Sequence, residues 1–145
     1  MENSNNAFMD AKMKIDNNFK SIHVFFDKTA YKRAFKLKCL YEEFIRKIDE
    51  KDILLCDAQS LFCDFLEALR NATLPQWRES LMNKKYILID GFHYFEQKKS
   101  ALEELTYIFK HTNAAIFLTL NKPLAQCDFG EEMQYILSTG TQKEI

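Results

Sequence analysis

The chain has 145 residues, 47% of them apolar, with 13 Phe and 6 Tyr, which suits one domain with a substantial core. Its 20 Lys and Arg stand against 21 Asp and Glu, so global charge gives no support for nucleic-acid binding and leaves only a local basic patch as a route to it. Three glycines and two prolines exclude turn-rich sandwiches and barrels, and they remove the raw material of a glycine-built phosphate cradle.

In chain order, residues 1–20 are polar and Asn-rich, with room for a short helix at most, and stand apart from an α/β unit over 21–145. Ile22-His23-Val24-Phe25-Phe26 is expected as a buried strand. From Tyr31 to Lys51 the pattern is helical, with Phe35, Cys39, Leu40, Phe44 and Ile48 near i, i+4 spacing as its apolar face. Ile53 to Cys56 is a second strand. Asp57 to Ser60 then offer cap chemistry for a helix carrying Leu61, Phe62, Phe65, Leu66 and Leu69. Asn71 to Thr73 interrupt, and Pro75 suits the first turn of a short helix around Trp77.

Tyr86-Ile87-Leu88-Ile89-Asp90 is a third strand, apolar until it delivers a carboxylate at its end. A loop through Gln97 follows, and Ser100 is placed to cap a helix with Leu102, Leu105, Ile108 and Phe109. Ala114 to Leu120 form a fourth strand, Asn121-Lys122-Pro123 turn the chain, and Tyr135-Ile136-Leu137 are expected in the last strand. Apolar strands alternating with helices indicate right-handed βαβ crossovers and a mainly parallel sheet. No internal repeat or second-domain linker is visible.

The four cysteines, Cys39, Cys56, Cys63 and Cys127, form no C-x-x-C pair, so reduced thiols are expected rather than a zinc site. No apolar run approaches the ~20 residues that span a bilayer, and the start is polar. A cytoplasmic protein without a membrane partner is the expectation.

Three blocks together resemble a known family. Phe65-Leu66-Glu67-Ala68-Leu69-Arg70, Trp77-Arg78-Glu79 and Tyr86 to Asp90 are similar, in order and spacing, to blocks in the AAA+ domain of the bacterial replication initiator DnaA. The family pattern there runs F-V-x-A-L-R, F-R-E and L-L-I-D-D. Glu103-Glu104 and Phe109 resemble its next helix, and Ile116-Phe117-Leu118-Thr119-Leu120-Asn121-Lys122-Pro123 resembles its sensor strand. The resemblance runs almost without gaps from Ile53 to Pro123. It implies a three-layer α/β/α, P-loop-NTPase-like AAA+ core of about five strands, with no lid domain.

The departures from the family pattern concern the nucleotide. The glycine loop G-x-x-G-x-G-K-T should follow the first strand, where Asp27-Lys28-Thr29-Ala30-Tyr31-Lys32-Arg33-Ala34 stand instead. Arg33 falls at the phosphate lysine and Ala34 at the Mg²⁺-binding hydroxyl, while Lys28-Thr29 only mimic the letters of the motif. Asp27 would repel a triphosphate. Asp90 matches the family's Mg²⁺ aspartate, but Gly91 replaces the acid that positions the attacking water. Asn121 replaces the sensor aspartate, and Asp128 to Met133 contain no arginine finger. A pseudo-ATPase with no cofactor is therefore expected.

Relatives grip single-stranded DNA through a helical insertion and basic residues after the acidic strand. Leu66, Lys98 and Lys99 fall at or beside those positions, with Arg70 and Arg78 nearby and Ser100 in place of the second basic residue. Lys84-Lys85 are expected at the opposite end of the third strand from Lys98-Lys99. Asp90 is expected to cap nearby backbone rather than hold a metal, and His23 to be a hydrogen-bonded core residue. His93 has no nucleophile motif as partner. Trp77, Phe92, Tyr94 and Phe95 could dock a partner, but core filling is favoured. The expected function is a non-catalytic DnaA-like protein in replication initiation or its regulation, binding initiator or helicase components or single-stranded DNA. The alternatives are a small divergent ATPase and a self-associating structural subunit.

Overall fold

A computed structural model describes residues 20–145. The polar segment expected over residues 1–20 lies outside them, apart from Lys20. Among the described residues the strands are β1 (Ser21–Phe26), β2 (Ile53–Asp57), β3 (Tyr86–Asp90), β4 (Ala115–Leu120) and β5 (Thr141–Glu144). They form one sheet in the order β2-β3-β4-β1-β5, with every pair parallel. The helices are α1 (Ala30–Phe44), α2 (Ala58–Arg70), α3 (Leu74–Met82), α4 (Lys99–His111) and α5 (Glu131–Ser138).

The apolar strands are buried on both faces because helices cover both. β3 and β4 lie in the middle of the sheet, and Ile87, Leu88, Ile89, Ile116 and Leu118 are fully enclosed. Removing each such side chain from water contributes about 1.5–3 kcal/mol. α1 alone packs on one face, where Leu37 and Phe44 meet Phe25, Tyr86, Leu88 and Phe117. Helices α2 and α4 and the segment through α5 pack on the other face, around Phe65, Leu102, Leu105, Phe109, Met133 and Leu137. The expected three-layer α/β/α core of parallel strands is what forms.

Four local expectations are corrected. The inward face of α1 is Arg33, Leu37 and Phe44, while Phe35 and Cys39 are exposed. The helix also ends at Phe44 and does not continue to Lys51. Ser100 lies inside α4, and Lys98 occupies the cap position with no side-chain cap bond. Tyr135-Ile136-Leu137 belong to α5, whose Met133 and Leu137 are buried one turn apart, and the last strand is Thr141–Glu144. A run of three apolar residues fits either element, and β5 is a fully exposed edge strand with no apolar residue to announce it.

Candidate functional site

Because all five strands are parallel, their C-terminal ends share one edge of the sheet, where open α/β folds bind ligands. β1 passes into α1 through Asp27-Lys28-Thr29 alone. Two of its N–H groups are taken: the Thr29 N–H donates to Asp27 Oδ2 at 2.7 Å, and the Asp27 N–H donates to the Leu120 carbonyl of β4 at 3.1 Å. The Thr29 N–H, more than any other group, holds the Asp27 carboxyl below the usual carboxylate range. Arg33 turns inward from α1, 9% exposed, and its Nη1 donates to the Asp27 carbonyl at 2.8 Å. Its Nε is buried without a hydrogen-bond partner. Ala34, one residue on, presents only a methyl group.

The end of β3 is tied to β4. Thr119 Oγ1 donates to Asp90 Oδ1 at 2.5 Å and accepts the Gly91 N–H at 2.8 Å. Asp90 thus pairs with a side-chain hydroxyl and not with the nearby backbone that the sequence suggested. Gly91 sits at φ +72°, in the left-handed region that favours glycine, and starts the 3-10 turn Phe92–Phe95. That turn sends Phe92 and Phe95 fully into the core, so core filling is their role. His93 stays at the edge, its Nδ1 accepting the Asn121 N–H at 3.2 Å. Burial, then the Arg33 charge, keeps the His93 pKa below its ordinary value.

The thiols offer no reactive partner here. Burial pushes Cys56 up to about 12 and Cys127 up to about 11, so both stay protonated. Among the described residues no group of three or more His, Cys, Asp or Glu is arranged to hold a metal ion. No described helix is long and apolar enough to cross a membrane. His23 donates or accepts between Ser21 Oγ and Thr141 Oγ1, both at 3.1 Å, while stacked on Phe117.

The residues transferred for DNA contact divide into two places. Lys98 Nζ lies 4.2 Å from the Tyr94 ring centre and 5.5 Å from that of Phe62, a cation held over two aromatic faces. Phe62 and Leu66 are one turn apart on α2, and Leu66 and Leu69 are exposed. Leu66, Phe62, Tyr94 and Lys98 therefore make one aromatic and basic patch. Gln97, at φ +66°, holds a strained backbone just before Lys98.

Lys99 instead lines a groove of about 570 Å³ between α4 and α5, beside Glu103, Asp128, Glu131 and Glu132. Acidic neighbours make that groove a poor place for phosphate. Arg78 is engaged elsewhere: its guanidinium makes a two-bond pair with the Glu104 carboxylate and lies 5.0 Å over the Tyr107 ring. Lys84 bonds the Lys51 carbonyl at the foot of the sheet, far along β3 from Lys98, as expected. Sequence reasoning missed Phe62 and Tyr94 as parts of the patch. Their signal was an aromatic residue one turn before Leu66 and another four residues before Lys98.

Comparison with family models matches residues 3–140 to the bacterial DnaA ATPase domain. Among solved structures, the fold resembles a DNA replication initiation factor with TM-score 0.81 at 15% identity, covering 100% of this chain and 46% of that one. Domain III of DnaA from Thermotoga maritima gives TM-score 0.81 at 12% identity, over 96% of this chain and 60% of that one. A replication initiator DnaA bound to AMPPCP and single-stranded DNA gives 0.76 at 16%, over 96% and 45%. The chain thus spans about half the length of the solved chains it resembles. No curated protein matches it. The match over residues 3–140 shows that the chain belongs to the bacterial DnaA ATPase-domain family.

Proposed function

We propose that this chain is a non-catalytic DnaA-like protein that acts in replication initiation or its regulation by binding. The observation that carries the non-catalytic part is the three-residue passage from β1 to α1, which has no glycine and in which the Asp27 carboxylate takes the Thr29 N–H. A phosphate cradle needs several free N–H groups around an anion. Here the Thr29 N–H is taken by Asp27, and the buried Arg33 guanidinium is bonded to the turn's own carbonyl. With Ala34 at the metal-binding hydroxyl position and Asp90 bonded by Thr119, the residues present do not fit Mg²⁺-nucleotide.

For binding, the family membership supports a place in the initiation machinery, with initiator or helicase components as partners. A relative of this fold has been solved with single-stranded DNA, and the patch of Leu66, Phe62, Tyr94 and Lys98 has the chemistry such a strand needs. A base can rest on an apolar or aromatic face while an ammonium group meets its phosphate.

Two measurements test this. Titration with a labelled ATP analogue at millimolar Mg²⁺ is expected to show no binding; binding abolished by Asp90→Ala would instead establish the divergent ATPase. Fluorescence anisotropy with short single strands is expected to weaken on Lys98→Ala and Leu66→Ala. Unchanged affinity in both variants would remove this patch from the DNA interface.

A further inference from the structure

The outer face of α1 carries a second arrangement of exposed aromatics and cations, on the opposite side of the sheet from Lys98. Tyr31 is 75% exposed and Phe35 55% exposed, one helical turn apart. Their rings lie 6.1 Å between centres and within 11° of parallel. Neither ring joins either core cluster. Between residues 28 and 41 there are five cationic side chains (Lys28, Lys32, Arg33, Lys36 and Lys38) and no carboxylate. In a chain of net charge −1 this is a local concentration and not a consequence of composition.

Arg33 is turned inward, and Lys36 lies 5.0 Å over the Phe25 ring, which leaves Lys28 exposed in the turn before the helix and Lys32 exposed on it, while Lys38 lines a hollow with Glu42, Asp57 and Asp90. The first turn of α1 holds no acid, so the Lys28 and Lys32 charges stand at the positive end of the helix dipole. That placement costs stability, and the Asp27 carboxylate bonded to the Thr29 N–H offsets part of the cost. An apolar protein partner would cover the rings but would strand these ammonium groups. The occupant that satisfies both features is a polyanion with flat, unstacked apolar groups along it.

From this we infer that the outer face of α1 binds single-stranded nucleic acid, with bases stacked on Tyr31 and Phe35 and phosphates against Lys28 and Lys32. This goes beyond the function proposed above, because it uses different residues on the other face of the sheet, and each surface can fail without the other.

The test uses the full chain and labelled oligothymidylate and oligouridylate in fluorescence anisotropy over a salt series. Tyr31→Ala with Phe35→Ala is expected to weaken binding about tenfold or more, since stacking contributes about 1–3 kcal/mol per base. Tyr31→Trp is expected to keep or tighten it, which separates stacking from damage to the helix. Lys28→Ala and Lys32→Ala are each expected to lower the slope of log K against log salt by about 0.7. A duplex of equal length is expected to bind more weakly, because its bases are not free to stack.

Unchanged single-strand affinity in the aromatic pair variant, or equal affinity for duplex, overturns the inference. So does concentration-dependent self-association that Tyr31→Ala abolishes, which would make the face a contact between copies. If Leu66→Ala and Lys98→Ala are silent while the α1 variants are not, the earlier patch fails and this one stands. A preference between the two oligomers then identifies the strand as DNA or RNA.

Discussion

Thr119 joins the two central strands at the ligand edge by giving its hydroxyl proton to Asp90 while taking the N–H of Gly91. One fully buried hydroxyl therefore satisfies both a carboxylate oxygen and a backbone donor. In a nucleotide site that carboxylate would be needed for a metal. Thr119→Val keeps the shape of the side chain and removes both bonds. It is expected to cost about 1–3 kcal/mol, the range for leaving a buried polar group unpaired. Urea denaturation checks this, and a variant as stable as the parent would show that Asp90 and Gly91 find other partners.

Arg78 and Glu104 are not equivalent members of their pair. Glu104 is buried on α4, whereas Arg78 remains a third exposed and also rests on Tyr107. Arg78→Ala leaves a buried carboxylate without its two donors, while Glu104→Ala leaves a cation that water can reach. Arg78→Ala is therefore expected to destabilise by about 1–3 kcal/mol, and Glu104→Ala by less. The order of the two denaturation midpoints decides, and a reversed order would place the main cost in the lost packing of Glu104.

Where sequence and structure agree or part has a physical pattern. β3 and β4 were legible because strands covered by helices on both sides must be apolar along their length. The end of β1 and the passage to α1 were legible as a departure because a phosphate loop needs glycine and none is present. Phe35 was misread as core because i, i+4 spacing fits either side of a helix. The side is decided by Arg33, a charged residue that the pattern rejects and the fold buries. β5 was hidden for the opposite reason: it is held by backbone pairing with β1, and its side chains carry no signal of burial. In the candidate site, Leu66 and Lys98 were named from the resemblance, but what joins them is a fold contact between α2 and the turn after Gly91. Phe62 and Tyr94 meet at 5.9 Å across a separation that no local pattern spans.

His93 gives the protein a pH dependence of defined sign. Its folded-state pKa is lowered, by burial first and by Arg33 second, so the unfolded chain binds the proton more readily. Stability from this group is complete above the unfolded value near 6.5 and falls as pH drops from there toward the lowered folded value. Asp27 and Asp57, whose pKa values are lowered mainly by backbone N–H donors, lose their contribution in a separate, more acidic range. His93→Gln is expected to flatten the stability profile just below pH 6.5 and leave the acidic limb in place. Arg33→Met is expected to raise the His93 pKa as followed by proton NMR. A pKa unmoved by Arg33→Met would leave burial and the Lys122 charge as the causes.

Gly140 is fixed by space and not by backbone angle. A Cβ there would lie 2.3 Å from the Ile22 carbonyl oxygen and 2.8 Å from its carbon, so the obstacle is backbone of β1 and cannot rotate away. The Gly140 N–H also bonds the Leu137 carbonyl at 3.2 Å, which closes the end of α5 just before β5 begins. Gly140→Ala must push β5 off β1, where His23 to Phe26 pair with Thr141 to Glu144. Since β5 is exposed and at the sheet edge, the cost is expected to be local, about 1–3 kcal/mol. Amide hydrogen exchange is expected to speed up over residues 141–144 while β3 keeps its protection. If β3 and β5 lost protection together, the edge strand would belong to the same cooperative unit as the central sheet.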